Sequence, residues 1–134
     1  MLEDWIFQKK QAEQSKNKLR GVDLCNAKLM GAKLDNADLT AADLTAAYLI
    51  KADLRHAKLA GADLTQAVLS EADLSNADLE NAELTDSYLH GANLQDVRNL
   101  TCEQLELANF DKDTVFPDYI TMHWTEDGHC ECKE

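Results

Sequence analysis

Residues 37–64 read ADLTAADLTAAYLIKADLRHAKLAGADL, in which a leucine falls at every fifth position. The leucine series runs without a gap from Leu19 to Leu94, and a small residue, usually alanine, stands two positions before most of these leucines. A strict short repeat of this kind is typical of a solenoid, in which each coil buries its core only against its neighbours. The repeat therefore predicts the fold, but it carries no chemistry of its own.

The period of five excludes an α-helix. Five residues turn a helix by ~500°, so successive leucines would lie ~140° apart and would form no single apolar face. In a strand, the first and third residues of an Ala-Asp-Leu unit point one way and the middle residue points the other way. Each unit therefore predicts one short side of a coil, with alanine and leucine inside and two further residues at the corner.

Units such as ADLTA at residues 37–41 and ANLQD at residues 92–96 resemble the A(D/N)LXX consensus of the pentapeptide-repeat family. The resemblance implies an all-β solenoid, a right-handed quadrilateral β-helix with four units per coil and about four coils over residues 17–96. The outward residues agree with four sides, because similar residues align at a spacing of twenty. We number the four sides in chain order, starting with the side that holds the unit of Leu19. One such set is an acidic column on the second side, formed by Asp23, Asp43, Asp63 and Glu83.

The chain length predicts one domain with three segments. We expect an N-terminal capping helix over residues 1–16, the pentapeptide-repeat β-helix over 17–97 and a C-terminal cap over 98–134. The ends of a solenoid need such caps because they expose core leucines and unpaired backbone groups. The apolar residues that would lie on the first coil are Leu2, Trp5, Ile6 and Ala12.

The C-terminal cap begins with a helix signal. Thr101 and Gln104 have the spacing of a capping box, which predicts a short helix of about residues 101–107. Residues 100–118 resemble the terminal segment of many cyanobacterial pentapeptide-repeat proteins. In that segment, Phe110 would replace leucine in one more repeat-like strand.

Residues 119–134 carry a weaker signal. Four apolar residues could pack back on the end of the coils: Tyr119, Ile120, Met122 and Trp124. After about Thr125 we expect a mobile, unstructured tail, with a disulfide that involves Cys102 or Cys25 and a metal site as alternatives. A metal site is disfavoured because the Cys-x-Cys at residues 130–132 differs from the usual Cys-x₂₋₄-Cys pair and has no second half. We expect no metal and no other cofactor.

The charge pattern limits the classes of partner that we expect. The net charge is −12, and the balance runs from +2 over residues 17–36 to −5 over residues 77–96. We interpret this asymmetry as ordinary solubility. No basic patch with interleaved aromatics suggests nucleic-acid binding, and no stretch approaches the ~20 apolar residues of a membrane span. Without a signal-peptide pattern or a disulfide framework, we expect a cytoplasmic protein.

One of the four sides has an unusual surface. On this third side the outward residues of successive coils are Lys28, Tyr48, Val68 and Tyr88. Five apolar or aromatic residues share it and form the candidate interaction face: Met30, Tyr48, Ile50, Val68 and Tyr88. A contiguous exposed patch of this composition is typical of an interaction surface. The alternatives are that one of the two ends folds over it, or that the fold merely tolerates these residues.

We therefore predict a non-catalytic protein-interaction scaffold with an unidentified protein partner, and self-association as a homodimer is one form of it. No enzyme is expected, because the coils show no serine–histidine–acid arrangement and no glycine-rich phosphate loop. The family resemblance implies one alternative, a DNA mimic that binds a topoisomerase. Duplex DNA would present about eleven charges over the ~19 Å height of the coils, whereas residues 17–96 carry a net −6.

Overall fold

The computed structural model describes the backbone of residues 2–134 and the side chains of residues 4–134. Its elements are helix α1 (Leu2–Gln14), a 3-10 turn (Lys16–Lys18), helix α2 (Cys102–Glu106) and the antiparallel strands β1 (Thr121–Trp124) and β2 (Cys130–Lys133). No helix in this part of the chain is long and apolar enough to cross a bilayer. Met1 of the predicted helical segment and the predicted packing of Leu2 lie outside the described residues.

The coils between the 3-10 turn and α2 stack through isolated parallel bridges spaced twenty residues apart. Asp43, for example, bridges Asp23 on one side and Asp63 on the other. The amide of Leu44 donates to the carbonyl of Asp63 at 2.8 Å, and the amide of Asp63 donates to the carbonyl of Ala42 at 3.0 Å. A spacing of twenty is four units of five, so the predicted quadrilateral β-helix is confirmed.

The core is a column of leucines lined by small residues. Every leucine of the series from Leu29 to Leu94 is at most 2% exposed, and the alanines two positions before them are also buried. Burying a leucine stabilises the folded state by about 1.5–3 kcal/mol relative to leaving it in water. Ser87 stands at one of the alanine positions, and its buried hydroxyl has no hydrogen-bond partner among the described residues.

Each corner of the coil turns at a residue with a left-handed backbone. The fifth residue of each unit has a φ near +60°, as at Ala41 (φ 58°) and Gly61 (φ 67°). This conformation costs a residue with a Cβ roughly 1–2 kcal/mol. The cost is tolerated because the corner amide then pairs with the next coil, as Ala41 does with the carbonyl of Ala60 at 2.9 Å.

Helix α1 contacts the first coil through few residues. Ala12 is buried and Trp5 is half-buried, whereas Ile6 is 42% exposed and Phe7 is 62% exposed. The expectation that Ile6 packs on the coil is therefore wrong. Residues at a spacing of three to four share a helix face, and the face that contains Trp5 and Ala12 does not include Ile6. Near its end, Glu13 accepts a hydrogen bond from the Lys33 amide at 2.7 Å.

At the C-terminal end, the chain adds one further layer to three of the four sides. Arg98, Asn109 and Val115 each bridge the residue beneath them. The remaining, second side gains no strand, and helix α2 lies beside it. It begins with the predicted capping box, in which the Thr101 hydroxyl accepts from the Gln104 amide and the Gln104 side chain accepts from the Thr101 amide.

The expectation of an unstructured, mobile tail after Thr125 is wrong. β1 and β2 form a hairpin in which Thr121 lies opposite Lys133. Cys132 of β2 forms a disulfide with Cys102 of α2, which was one of the alternatives. Side chains alternate between the two faces of each strand, and one face of the hairpin packs on the core through Met122 and Cys132 while the other is exposed.

The cap adds a half-buried aromatic cluster to its buried aliphatic residues, Leu100, Leu105 and Ile120. The Phe110 ring packs edge-on against the rings of Phe116 and Trp124, with centroids 5.3 Å and 5.9 Å away. The predicted repeat-like unit forms on the third side, where Asn109 bridges Tyr88, but Phe110 is only half-buried and does not fully replace a core leucine. Ile120 is buried and Met122 packs against the core, as the sequence predicted.

Candidate interaction surface

The predicted face lies on the third side of the coils. Parallel bridges stack Lys28, Tyr48, Val68 and Tyr88 in that order. Tyr48 is 43% exposed and Tyr88 is 42% exposed. The three aliphatic members are half-buried: Met30, Ile50 and Val68. The structure therefore places all five residues on one side, and neither tyrosine is buried beneath the hairpin or α1.

The geometry of this face is set by the coil spacing. Neighbouring coils lie ~4.8 Å apart, so Tyr48 and Tyr88, two coils apart, stand ~10 Å from each other with Val68 between them. The ring of His90 lies beside that of Tyr88, with centroids 6.3 Å apart. Two rings with polar tips on a flat, apolar base suit contact with a protein surface.

The outward residues of the other sides differ from those of the third side in their hydrogen bonds. Where aspartate stands at the outward position, its carboxylate accepts a hydrogen bond from the amide two residues later, as in Asp43 to Thr45 at 3.0 Å. The same bond occurs for Asp23, Asp38, Asp53, Asp63, Asp73 and Asp78. It gives aspartate a structural role in the repeat. Tyr48 and Tyr88 cannot make this bond, so these positions give up a local hydrogen bond for an exposed aromatic ring.

The acidic column on the second side is occupied by local hydrogen bonds. Asp63 accepts from the amide of Thr65 at 3.0 Å and from its hydroxyl at 2.6 Å, and Glu83 accepts from the Thr85 hydroxyl. The hydrogen bonds from Thr45 lower the pKa of Asp43. The carboxylates of Asp63, Asp43 and Glu83 therefore already have hydrogen-bond donors within the chain.

One group of possible metal ligands was not predicted from the sequence. Among the described residues, Asp23, Cys25 and Asp43 offer ligand atoms within 4.8 Å of one another. They are brought together by the coil spacing, which places Asp43 above Asp23. The group lies at the surface, and Asp23 already accepts from the Cys25 amide at 3.0 Å. It carries no further assignment.

The Cys-x-Cys sequence does not form a ligand pair. Cys130 and Cys132 lie on the same face of β2, but Cys132 is held in the disulfide and Cys130 is free. Burial raises the pKa of the Cys130 thiol, whose Sγ lies 3.5 Å from Sδ of Met122. Cys130 is therefore a small, weakly polar residue of the cap.

The sequence placed Tyr119 at the end of the coils but did not predict the side-chain hydrogen bonds that complete this end of the β-helix. The Tyr119 hydroxyl donates to the carbonyl of Val97 at 2.7 Å and accepts from the amide of Leu100 at 3.0 Å. The Thr114 hydroxyl donates to the carbonyl of Leu89 at 2.8 Å. These contacts join residues about twenty or more positions apart, and no repeat in the cap signals them.

Comparisons with known proteins agree with the fold. The family model for pentapeptide repeats matches residues 15–45, 47–86 and 62–98, with eight copies. A pentapeptide repeat protein from the thylakoid lumen of Arabidopsis thaliana is 32% identical in its solved structure. The alignment covers 81% of this chain and 72% of that chain, with a TM-score of 0.61.

Two further solved structures are more distant. A pentapeptide repeat protein from Nostoc is 28% identical over 88% of this chain and 86% of that chain, with a TM-score of 0.48. A plasmid-mediated fluoroquinolone resistance protein is 18% identical over 67% of this chain and 51% of that chain, with a TM-score of 0.46. No curated protein matches the chain.

Proposed function

This chain belongs to the pentapeptide repeat family, and we propose that it is a non-catalytic scaffold that binds a protein partner through the third side of its coils. The observation that carries the proposal is the pair of tyrosines, Tyr48 and Tyr88, which stand 43% and 42% exposed on one flat face. The partner is a protein, and the simplest such partner is a second copy of this chain. In this proposal, a β-helix of about four coils, over residues 17–97, presents the face and lies between the two caps.

Two physical arguments support this assignment. First, tyrosine is enriched in protein interfaces because it buries a large apolar ring and still forms a hydrogen bond. Second, the outward positions of the third side lack the carboxylate that stands at most outward positions of the other sides, so stability of the coil does not explain their residues. Recognition of a partner does explain them.

The charge distribution disfavours the DNA-mimic alternative. A mimic of duplex DNA needs negative charge along the whole solenoid, whereas residues 17–36 carry +2 and only residues 77–96 reach −5. The resistance protein resembles this chain in fold only, at 18% identity. If this protein competed with DNA for binding to a topoisomerase, that result would restore the alternative.

The test replaces both tyrosines with aspartate, Tyr48→Asp and Tyr88→Asp. We expect the double variant to fold normally, because outward side chains contribute little to the core, and to lose self-association or partner capture. A matched control adds the same charge away from this face, with Asn76→Asp and Gln95→Asp. Sedimentation velocity and circular dichroism report assembly and folding.

The outcomes separate the forms of the proposal. Loss of assembly in the tyrosine variant alone supports the homodimer. Identical monomeric profiles for all three proteins remove the homodimer, and a pull-down from the native host then tests for another partner. If capture in the pull-down is also equal for the wild type and the tyrosine variant, the third side is not the binding surface.

A further inference from the structure

The second side of the coils ends in an unpaired strand edge beside α2. One layer below that edge, the amides of Gly61 and Leu64 donate to the carbonyls of Glu80 and Glu83 at 2.8 Å. The equivalent donors at the edge itself are the amides at positions 81 and 84. Within residues 4–134, neither of these amides has a hydrogen-bond acceptor.

The edge is open because the chain leaves the coil register there. Arg98 still bridges Asp78, and the Leu107 carbonyl accepts from the Asp86 amide at 2.7 Å. Between Arg98 and Leu107 the chain forms α2 rather than a strand. Three sides thus gain a further layer and the second side does not.

Gln104 satisfies only half of this edge. Its Nε2 donates to the carbonyls of Leu79 at 2.8 Å and Ala82 at 3.0 Å. Its Oε1 accepts from the Thr101 amide at 2.8 Å and is therefore engaged in the capping box. The edge carbonyls have a donor, but the amides of Asn81 and Leu84 still lack an acceptor.

A groove of about 490 Å³ lies between the edge and α2, and Asn81 and Leu84 are among the residues that line it. Three carboxylates line it, those of Glu80, Glu83 and Glu103, and no lysine, arginine or histidine does. None of the three forms an ion pair with another described residue. Leu107, which is 52% exposed, adds an apolar wall.

We propose that this groove binds an extended, basic peptide segment of a partner protein, which adds to the edge as the missing strand. The free amides require acceptors, and the three carboxylates repel anionic ones, so neutral backbone carbonyls fit best. Lysine or arginine side chains on the peptide would pair with the glutamates. Strand addition of this kind takes its affinity from main-chain hydrogen bonds and its specificity from alternate side chains.

The register follows from the layer below. Because the carbonyls of residues 80 and 83 serve the amides at 61 and 64, the peptide presents two carbonyls three residues apart. The residue opposite Glu83 accepts from the Leu84 amide, and the residue three positions earlier accepts from the Asn81 amide. The recognised element is therefore a segment of four residues that runs parallel to the strand of the second side.

The occupant is a different protein rather than a second copy. In the part of the chain that the structure describes, basic residues lie in α1, the 3-10 turn, the coils and the C-terminal cap. Each is part of a folded segment, so a second copy has no extended basic stretch to insert. Self-association that depends on this groove is the competing outcome of the test.

The experiment selects peptides that bind the full chain from a random octapeptide library. The binding of one selected, lysine-containing peptide is then measured with synthetic material. We expect enriched sequences rich in lysine or arginine. On titration, the amide signals of Asn81 and Leu84 should shift and exchange more slowly with solvent. Replacing the peptide bond that follows the residue opposite Glu83 with an ester should weaken binding, because an ester carbonyl is a poorer acceptor for the Leu84 amide.

Protein variants supply the second arm. Glu83→Lys with Glu103→Lys should weaken the peptide by about tenfold or more, through repulsion of basic side chains. The matched control, Glu71→Lys with Glu126→Lys, makes the same charge change at exposed sites elsewhere and should bind like the wild type.

The proposal is overturned by any of three results. The first is that no basic peptide is enriched. The second is that peptide binding leaves the Asn81 and Leu84 amides unchanged or is equally weakened by both charge-reversed variants. The third is that the wild type sediments as a dimer that Glu83→Lys with Glu103→Lys dissociates.

Discussion

The repeated coils and the C-terminal cap solve the same problem by different means. In the coils, backbone amides and carbonyls pair with the next layer, and the pattern recurs every twenty residues. In the cap, single side chains take over the last carbonyls: Gln104, Thr114 and Tyr119. A repeat can satisfy its backbone from within as long as it continues, but its end needs residues that occur once.

The two regions also differ in how well they are packed. The coil leucines are almost completely buried, whereas the aromatic cluster of Phe110, Phe116 and Trp124 is only half-buried. Fewer buried contacts mean a lower local free energy of opening. The cap should therefore open before the coils do.

Leu64→Ala should have the largest effect. Leu64 is 0% exposed, and loss of such a side chain leaves a cavity that costs about 2–5 kcal/mol of unfolding free energy. Leu107→Ala is the matched control, because Leu107 is 52% exposed and should change stability by less than about 0.5 kcal/mol. Urea denaturation followed by circular dichroism measures both, and equal midpoints would contradict the packed core.

Cys132→Ser should loosen the cap while the coils stay folded. The disulfide joins residues 30 positions apart, and such crosslinks typically contribute about 2–4 kcal/mol. We expect faster hydrogen exchange at the amides of β1 and β2, with no change at the Leu64 amide. Cys130→Ser, which removes the free thiol, should leave both rates unchanged. Equal acceleration in the coils and the cap would mean that the two regions unfold together.

Gln104→Ala should weaken the junction between the coils and the cap. It leaves the Leu79 and Ala82 carbonyls without their side-chain donor and removes half of the capping box, at a cost of about 1–3 kcal/mol. Glu103→Ala, its exposed neighbour, is the control. Hydrogen exchange should increase first at the amides of α2, and a uniform change along the coils would contradict a local role.

Acid should weaken the coils by the smallest increments. Hydrogen bonds from Thr40 lower the pKa of Asp38, and that from Arg55 lowers the pKa of Asp53. A carboxyl whose folded pKa is depressed stabilises the protein above its ordinary pKa of ~3.9, and this contribution is lost as the pH falls through the folded value. The unfolding free energy should therefore decline below about pH 4.

Thr40→Val provides the matched comparison for the acid effect. It removes the hydroxyl that donates to Asp38 at 2.7 Å, so the decline between pH 7 and pH 3 should be slightly shallower than in the wild type. The change is small because the carboxylate is mostly solvated. A steeper decline in the variant would contradict the assigned sign.

The sequence predicted the coils well because their interactions are periodic. A unit such as residues 37–41 states by itself which side chains point inward, and the spacing of twenty aligns Asp43 with Asp23 and Asp63. The capping box of Thr101 and Gln104 was also readable, since it is a local motif. The candidate face of Tyr48 and Tyr88 followed from the same arithmetic, and its role stays a prediction.

The cap was less predictable because its contacts are long-range and occur once. The pairing of Cys102 with Cys132, the hairpin of β1 and β2 and the bond from Tyr119 to Val97 depend on where the chain turns after α2. No local pattern encodes that turn. The same turn leaves the second side one layer short.

The repeat determined the solenoid class and the buried leucine column, because a five-residue period admits one inward pattern, and the family resemblance added the four sides to which the outward residues were assigned. Only the tertiary structure decided that Ile6 lies in solvent, that the tail is a disulfide-linked hairpin and that the amides of Asn81 and Leu84 have no acceptor. The physical reason is that a short-period interaction is specified by each unit, whereas the end of a solenoid is specified by whichever single side chains reach its last backbone groups.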